Sequence, residues 1–206
     1  MTLYEPTTGA KRPSVKLTDL KDGVILAAAH INREIQDTDY DSGEPLVWHE
    51  RRPTKLSDVP EPLRHDADPV NKLAITGIIA GTSGKAVGRM GGEDVELVEG
   101  MEASIYANGG KNSDWSRFDD AVKANGGIDY GDMIKYWFDR EEPASNPKYN
   151  DRKIREFSVK APDPEQESKF GDKCRDLRRA MDEPMPPISV GAPPSVSDTE
   201  DLSDPF

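Results

Sequence analysis

The sequence predicts a mainly β fold with one or two helices, in which a barrel of about five strands is followed by a disordered C-terminal tail. Three observations support this prediction. Apolar segments with the length and composition of strands recur along residues 24–161. One segment between the third and fourth long strands has helical spacing. Residues 182–206 hold six prolines, six acids and no Lys, Arg or His, with no periodic apolar pattern.

The composition limits the class of protein. The chain has 206 residues, is 34% hydrophobic and 32% charged, and carries a formal net charge of −12. A mean hydropathy of −0.75 and 17 prolines indicate that part of it does not pack. No apolar run is long enough to cross a bilayer, and the start lacks the apolar core of a signal peptide. The single cysteine, Cys174, excludes an internal disulfide. We therefore expect a cytoplasmic protein without a membrane partner.

The predicted strands come in two groups, before and after the helix. The long ones are expected at 24–35, 71–81, 95–107, 132–141 and 153–161, with a short one at 46–50. The alanines in the first of these also permit a helix, and Gly100 either interrupts the third or leaves it whole. We predict a long proline-containing loop over 51–69 and a glycine-rich connection over 82–94.

Two helices are predicted. In the first, Ser113 or Asp114 can cap the start, while Trp115, Phe118 and Val122 recur at helical spacing. Glycines then end it. The second helix is expected over 163–181, where an aspartate cap, a proline in the first turn and an early glutamate favour helix initiation.

The order of these elements predicts a particular barrel. About five strands with one helix before the last two is the layout of an OB barrel. A β-sandwich or an unrelated α+β fold is the alternative. The expected organisation is a flexible arm over 1–16, an OB domain over 17–162, the helix over 163–181 and the disordered acidic tail over 182–206.

The sequence contains no complete motif for catalysis or metal binding. The stretch 81–86 has Gly84-Lys85 but lacks the first glycine and the final Ser or Thr of a P-loop. The aspartates in 37–41 lack the glycine and glutamate that complete a calcium loop. The three histidines are scattered, without metal-ligand spacing. We therefore expect no enzyme activity, no catalytic residue, no metal site and no cofactor.

Aromatic side chains next to cations are the positive signal. In an extended 132–141, Lys135 and Trp137 share one face, and in an extended 153–161 Lys153, Arg155 and Phe157 share another. Residues 148–160 carry five basic and two acidic groups. Single-stranded nucleic acid binds in this way, with bases stacked on rings and cations along the phosphates. The alternative is that the rings fill the core and the charges are solvated. The candidate contacts are Trp48, Arg51, Arg52, Lys72, Lys135, Trp137, Lys148, Tyr149, Arg152 and Lys153.

The tail resembles a known family. A spacer rich in proline and glycine ends in the sequence SDTEDLSDPF. This resembles the C-terminus of single-stranded DNA-binding proteins (SSBs), which end in an acidic tip closed by Pro-Phe or by phenylalanine. The resemblance implies that the tip binds partner proteins. Its matching residues are Asp198, Glu200, Asp201, Asp204, Pro205 and Phe206.

The body of the chain resembles the SSB-like OB domains of phages that infect actinobacteria. The matching segments are 23–48, 68–79 and 126–138, with Thr38-Asp39-Tyr40 and Gly43-Glu44-Pro45 as local elements. The resemblance implies a phage protein of the host cytoplasm that coats single-stranded DNA without sequence specificity. It would act in DNA replication, recombination and repair, recruiting enzymes through its tail. Whether it forms a homo-oligomer stays open.

The rival interpretation is a non-enzymatic phage protein–protein interaction module, either a virion accessory or a host-takeover protein. In that case the acidic tail is a solubilising or docking arm. Both interpretations predict a small β domain, so the fold does not separate them.

Overall fold

Ten strands and three helices follow one another along the residues that the structure describes. The structure is a computed structural model that describes residues 12–39, 41–109, 113–143 and 151–182. A single 3₁₀ turn, Leu56–Asp58, precedes the first helix. The elements are β1 (Ser14–Lys16), β2 (Gly23–Gln36), β3 (Leu46–His49), β4 (Arg52–Lys55), α1 (Glu61–Arg64), β5 (Asn71–Ser83), β6 (Val87–Met90), β7 (Glu93–Glu96), β8 (Glu102–Asn108), α2 (Asp114–Ala124), β9 (Met133–Glu142), β10 (Arg152–Lys160) and α3 (Pro164–Asp182).

Eight strands form one curled sheet, a half-barrel, in the order β10-β9-β2-β5-β8-β1-β6-β7. Neighbours are antiparallel except β1 and β8, which are parallel. The remaining two strands, β3 and β4, form a separate hairpin. The prediction of a mainly β fold is confirmed, but with more strands than five. The five long strands are adjacent to one another, and the additional strands have only three or four residues each.

The inner face of the sheet packs against α2. Phe118 of that helix is fully buried, and its ring lies 5.5 Å from that of Phe157 in an edge-to-face arrangement. Phe157 in turn stacks on Tyr136, with ring centroids 4.6 Å apart. Such aromatic pairs add about 0.5–1.5 kcal/mol beyond the area they bury. The helix therefore fixes the position of β9 and β10 relative to the rest of the sheet.

The outer face packs against α3. Phe170, Cys174 and Leu177 of the helix form a second cluster with Ala27 and Met133 of the sheet. Burial raises the pKa of the Cys174 thiol to about 11, so the group is neutral at physiological pH and acts in packing. Because α2 and α3 cover opposite faces, the central strands are buried on both sides.

One glycine permits the closest approach within the sheet. A Cβ added at Gly77 of β5 would lie 2.1 Å from the carbonyl oxygen of Ala27 on β2. A side chain there would force β2 and β5 apart.

Most predicted elements have close counterparts in the structure. Gly100, with φ of +85°, interrupts the segment predicted over 95–107, which resolves that alternative in favour of two strands. Ser113, not Asp114, caps α2 through its hydroxyl, which accepts a hydrogen bond from the backbone N–H of Ser116 at 3.2 Å. The first long segment, for which a helix was the alternative, is the strand β2.

Three predictions of irregular structure are wrong. The loop expected over 51–69 contains β4 and α1, and the connection expected over 82–94 contains β6 and the start of β7. The arm expected over 1–16 ends in β1, which pairs with β6 more than 70 residues away, from Ser14–Arg89 to Lys16–Val87. Long-range pairing of this kind leaves no local signal in the sequence. Residues 1–11 of the expected arm and 183–206 of the expected tail lie outside the described residues.

Candidate nucleic-acid interface

The hairpin β3–β4 presents three of the predicted contact residues. Its tip is the two-residue turn Glu50-Arg51, in which both residues have positive φ, +48° and +64°. This is the geometry of a type I′ turn, which matches the twist of the flanking strands. Trp48 is 43% exposed, and Arg51 and Arg52 are exposed. Neither arginine has an ion-pair partner among the described residues.

Backbone contacts attach this hairpin to the start of β5. Val47 is buried and bridges to Pro69, and the N–H of Trp48 donates to the carbonyl of Asp68 at 2.8 Å. Pro53 stands opposite Trp48 in the register. A proline is tolerated here because β4 has no second neighbour to which its backbone would donate. These contacts therefore hold the strands of the hairpin in place beneath its exposed tip.

Lys72 lies at the same end of the sheet as the hairpin. Its ammonium is 2.9 Å from the Asp37 carboxylate and 5.5 Å from the centre of the Tyr106 ring. Tyr106 is 45% exposed and lies on β8, the strand next to β5. The backbone carbonyl of Asp37 accepts a hydrogen bond from the N–H of Leu46, so the ion pair is close to the base of the hairpin.

Lys135 and Trp137 share one face of β9, as the alternation predicts. The ammonium of Lys135 lies 5.0 Å from the centre of the Trp137 ring, while Tyr136 between them is buried in the inner core. Lys135 pairs with Ile25 and Trp137 with Gly23 in the register of β2. This is the outer face, the one that α3 covers further along the strands.

The cations of β10 lie beside the loop that precedes β2. Lys153 donates to the carbonyl of Thr18 at 3.2 Å and lies 5.5 Å from the ring of Phe138. A β-bulge interrupts the pairing here, and its extra residue is Asp139 of β9, because Ile154 stands opposite Arg140 and Arg155 opposite Phe138. The residues of β10 are paired without a gap, and Lys153 and Arg155 both lie at Phe138, in agreement with the expectation that they share a face.

A polar cavity of about 370 Å³ lies between the two groups of strands, and sequence reasoning did not identify it as a site. One wall comes from β1, β6 and β8, and the other from the start of α2 with β9 and β10. The signal in the sequence was Gly91-Gly92, a typical two-residue hairpin turn, which would have placed Arg89 on a strand. The lining residues are Ser14, Val15, Lys16, Leu17, Arg89, Tyr106, Asn108, Asp114, Tyr136 and Arg155.

Asp114 is the one carboxylate in that lining. Its Oδ2 lies 3.5 Å from Arg155 and its Oδ1 3.6 Å from Arg117. Burial raises the pKa of Asp114 above its usual value, and the two arginines, together with Arg152, oppose this shift. The carboxylate therefore holds a cluster of guanidinium groups beside the cavity.

The predicted contacts thus separate into two groups at opposite ends of β2. Trp48, Arg51, Arg52 and Lys72 lie near its Gln36 end. The second group lies near the Gly23 end and consists of Lys135, Trp137, Arg152 and Lys153. Lys148 and Tyr149 lie outside the described residues, as do the predicted partner-binding residues Asp198, Glu200, Asp201, Asp204, Pro205 and Phe206.

The comparisons with known proteins give no match: no family model, no curated protein and no solved structure is significantly similar to the chain. Within the described ranges, no group of three or more His, Cys, Asp or Glu side chains is placed to hold a metal ion. No helix in the part of the chain that the structure describes is long and apolar enough to cross a membrane.

Proposed function

We propose that this protein binds single-stranded DNA without sequence specificity, through an OB barrel. The observation that carries the proposal is the arrangement of the five long strands. They run in the order β10-β9-β2-β5-β8, and α2 lies between β8 and β9. Numbered along the chain, this is the order 5-4-1-2-3 with a helix after the third strand, the order expected of an OB barrel.

Six of the ten predicted contacts belong to elements that such barrels use, and the other four, Lys135, Trp137, Arg152 and Lys153, lie on the fourth and fifth long strands. OB folds bind oligonucleotides on their second and third strands and on the connections between strands 1 and 2 and between strands 4 and 5. In this chain the first connection is 37–70, which holds the β3–β4 hairpin, and the second is 143–151, which holds Lys148 and Tyr149. Lys72 and Tyr106 lie on the second and third long strands.

Binding of this kind is stoichiometric. Bases stack on exposed rings such as Trp48, and Arg51 and Arg52 follow the phosphates. The net charge of −12 does not prevent it, because charges beyond a Debye length of about 8–10 Å are screened at moderate salt. What binding requires is a local excess of cations, and the hairpin tip has two unpaired guanidinium groups among the described residues.

The tail adds a second activity to the proposal. Acidic residues around Phe206 suit a partner pocket that is apolar at its base and ringed by Lys or Arg. Through this contact the protein would recruit replication and recombination enzymes to the coated strand.

The rival function, a protein–protein interaction module, has one observation in its favour. Several of the candidate cations already have partners within the chain. Lys72 pairs with Asp37, Lys135 lies on Trp137 and Lys153 donates to Thr18. DNA would have to compete with these contacts.

The first test is a fluorescence titration. The double variant Trp115→Phe/Trp137→Phe leaves Trp48 as the reporter on the hairpin. We expect oligo-dT to quench its emission as bases stack on the exposed ring. An unchanged spectrum at every concentration favours the rival.

A charge reversal with a matched control tests the cations. Arg51→Glu/Arg52→Glu and the control Arg175→Glu/Arg179→Glu on the exposed side of α3 change the net charge equally. We expect the hairpin variant to lose about 10-fold or more in affinity for oligo-dT, measured by fluorescence anisotropy. The slope of log affinity against log salt should become shallower by about 0.7 for each lost phosphate contact. Equal effects of the two variants would contradict a site on the hairpin.

A further inference from the structure

The cavity beside α2 lies where the barrel is open. No ladder joins β8 to β10 among the described strands, and α2 packs against both. The gap between them is bounded by β1 on one side and by the first residue of α2 on the other. A volume of about 370 Å³ is at the lower end of the range of about 300–1,000 Å³ typical of ligand pockets. It suits one small ligand and not an extended one.

The charges in the lining favour an anion. Three cations, Lys16, Arg89 and Arg155, face one carboxylate, Asp114, in a chain that is strongly acidic overall. Lys16 has Asp94 at 3.2 Å and Arg155 has Asp114 at 3.5 Å. Arg89 is exposed and has no ion-pair partner among the described residues. A guanidinium without a partner at the edge of a polar cavity is the group that a phosphate would recognise.

The remaining lining suits the base of a nucleotide. Tyr106 offers an exposed ring, on which a base can stack. Asn108, also exposed, carries both a donor and an acceptor, and Asp114 carries acceptors, as base edges require. Cations and hydrogen-bonding groups therefore line one cavity next to an aromatic ring.

We infer that this cavity binds a single phosphorylated nucleoside, with its phosphate at Arg89 and Arg155 and its base against Tyr106 and Asn108. The inference rests on the proposed function, since it gives the bound strand a subsite for one nucleotide. The same chemistry has two sources, a free mononucleotide or one unit of a strand, and the experiment separates them.

The test is isothermal titration calorimetry of the full chain with dTMP, thymidine and inorganic phosphate. We expect dTMP to bind more tightly than either of its parts. Arg89→Ala should weaken dTMP binding by about 10- to 100-fold, the loss typical of one charge-assisted hydrogen bond. Asn108→Ala tests the base side in the same way. Arg179→Ala, an exposed arginine on α3, is the matched control and should leave binding unchanged. If Arg89→Ala weakens dTMP binding and Asn108→Ala does not, the cavity recognises the phosphate alone and the inferred base contact is wrong.

Oligonucleotides then identify the source of the ligand. An Arg89-dependent gain in affinity from a 5′-phosphate on oligo-dT supports a site for a strand end. An equal Arg89 effect with and without that phosphate supports an internal unit. If oligo-dT binds, dTMP does not, and Arg89→Ala changes nothing, the cavity inference is overturned while the proposed function stands. If dTMP binds through Arg89 and oligo-dT does not bind, the proposed function fails and the cavity is a mononucleotide site.

Discussion

Asp22 shows how one side chain joins two turns at the entry to β2. It is 1% exposed, and its carboxylate accepts the backbone N–H groups of Thr18, Asp19 and Lys85 at 2.7, 2.9 and 2.6 Å. Gly84 is required beside it, since a Cβ there would lie 2.6 Å from Oδ1 of Asp22. The carboxylate thereby fixes the turn before β2 against the turn after β5.

The protonation of Asp22 should affect stability. Burial raises the pKa of this carboxyl, but the hydrogen bonds from Asp19, Thr18 and Lys85 outweigh burial and lower it. Because the folded pKa lies below the unfolded value of about 3.9, the stabilisation is complete above that value. It is lost as the pH falls through the folded pKa.

We therefore expect Asp22→Asn to lower the free energy of unfolding by about 1–3 kcal/mol at pH 7. The difference in free energy of unfolding between this variant and the native chain should shrink as the pH falls below about 4, since the native carboxyl is then also neutral. Urea unfolding at several pH values measures this. Asp120→Asn, on an exposed part of α2, is the control. If the two chains differ in free energy of unfolding by the same amount at pH 7 and at pH 3, the negative charge of Asp22 does not stabilise the fold.

At single residues, the sequence predicted which side chains share a face of a strand better than it predicted what covers that face. Alternation along β9 correctly put Lys135 and Trp137 on one face, because a regular strand has a period of two. It does not reveal the β-bulge further along the same strand, where Asp139 is the extra residue opposite Ile154 and Arg155 of β10. That the shared face is the one that α3 covers depends on docking of a helix about 30 residues later in the chain. No local pattern reports such docking.

At the scale of elements, most of the strands that the sequence did not predict belong to the two short hairpins, β3–β4 and β6–β7. β4 contains a proline and β6 contains a glycine, and both residues disfavour strands in sequence patterns. Each is tolerated for a structural reason. The proline lies in a two-stranded hairpin, and at Gly88 a Cβ would meet Pro13 at 2.5 Å, so β1 and β6 can pair there only without a side chain.

The β3–β4 turn carries strain that suggests a functional constraint. Glu50 and Arg51 both have positive φ, which costs a residue with a Cβ about 1–2 kcal/mol. Glycine at either position would relieve it, and the cost persists where a side chain is needed.

Two glycine substitutions separate strain from binding. Glu50→Gly and Arg51→Gly should each stabilise the hairpin by up to about 1 kcal/mol, measured by hydrogen exchange of its amides. Arg51→Gly should weaken binding of oligo-dT, and Glu50→Gly should not, because it retains the guanidinium. If both variants bind as the native chain does, Arg51 is not a contact.

For the whole molecule, the long strands and the helix between them could be predicted because each has its own periodic apolar pattern. The curl of the sheet and the cavity could not, because they depend on contacts between distant segments. The pairing of β1 with β6 brings Lys16 and Arg89 to one wall of the cavity, and β10 brings Arg155 to the other wall. The sequence separates these cations by more than 130 residues.

The charge of the whole chain bears on the tail, where the last prediction lies. Residues 198–206 hold the four acids Asp198, Glu200, Asp201 and Asp204, whereas Arg51, Arg52 and Arg89 are cations without partners among the described residues. An acidic segment and a DNA strand are both polyanions, so they should compete for the same cations.

Deletion of 198–206 should therefore raise the affinity for oligo-dT several-fold at low salt and have little effect at high salt, where screening removes the competition. Neutralising the four acids to amides should have the same effect, since it removes the charge and keeps the length.

Phe206→Ala removes no charge, so it should leave DNA binding unchanged and abolish capture of replication enzymes in pull-down experiments. Fluorescence anisotropy and pull-down with the same three variants measure both effects. If the deletion weakens DNA binding, or if Phe206→Ala still captures every partner, the tail is not a recruiting arm and the interaction-module function gains support.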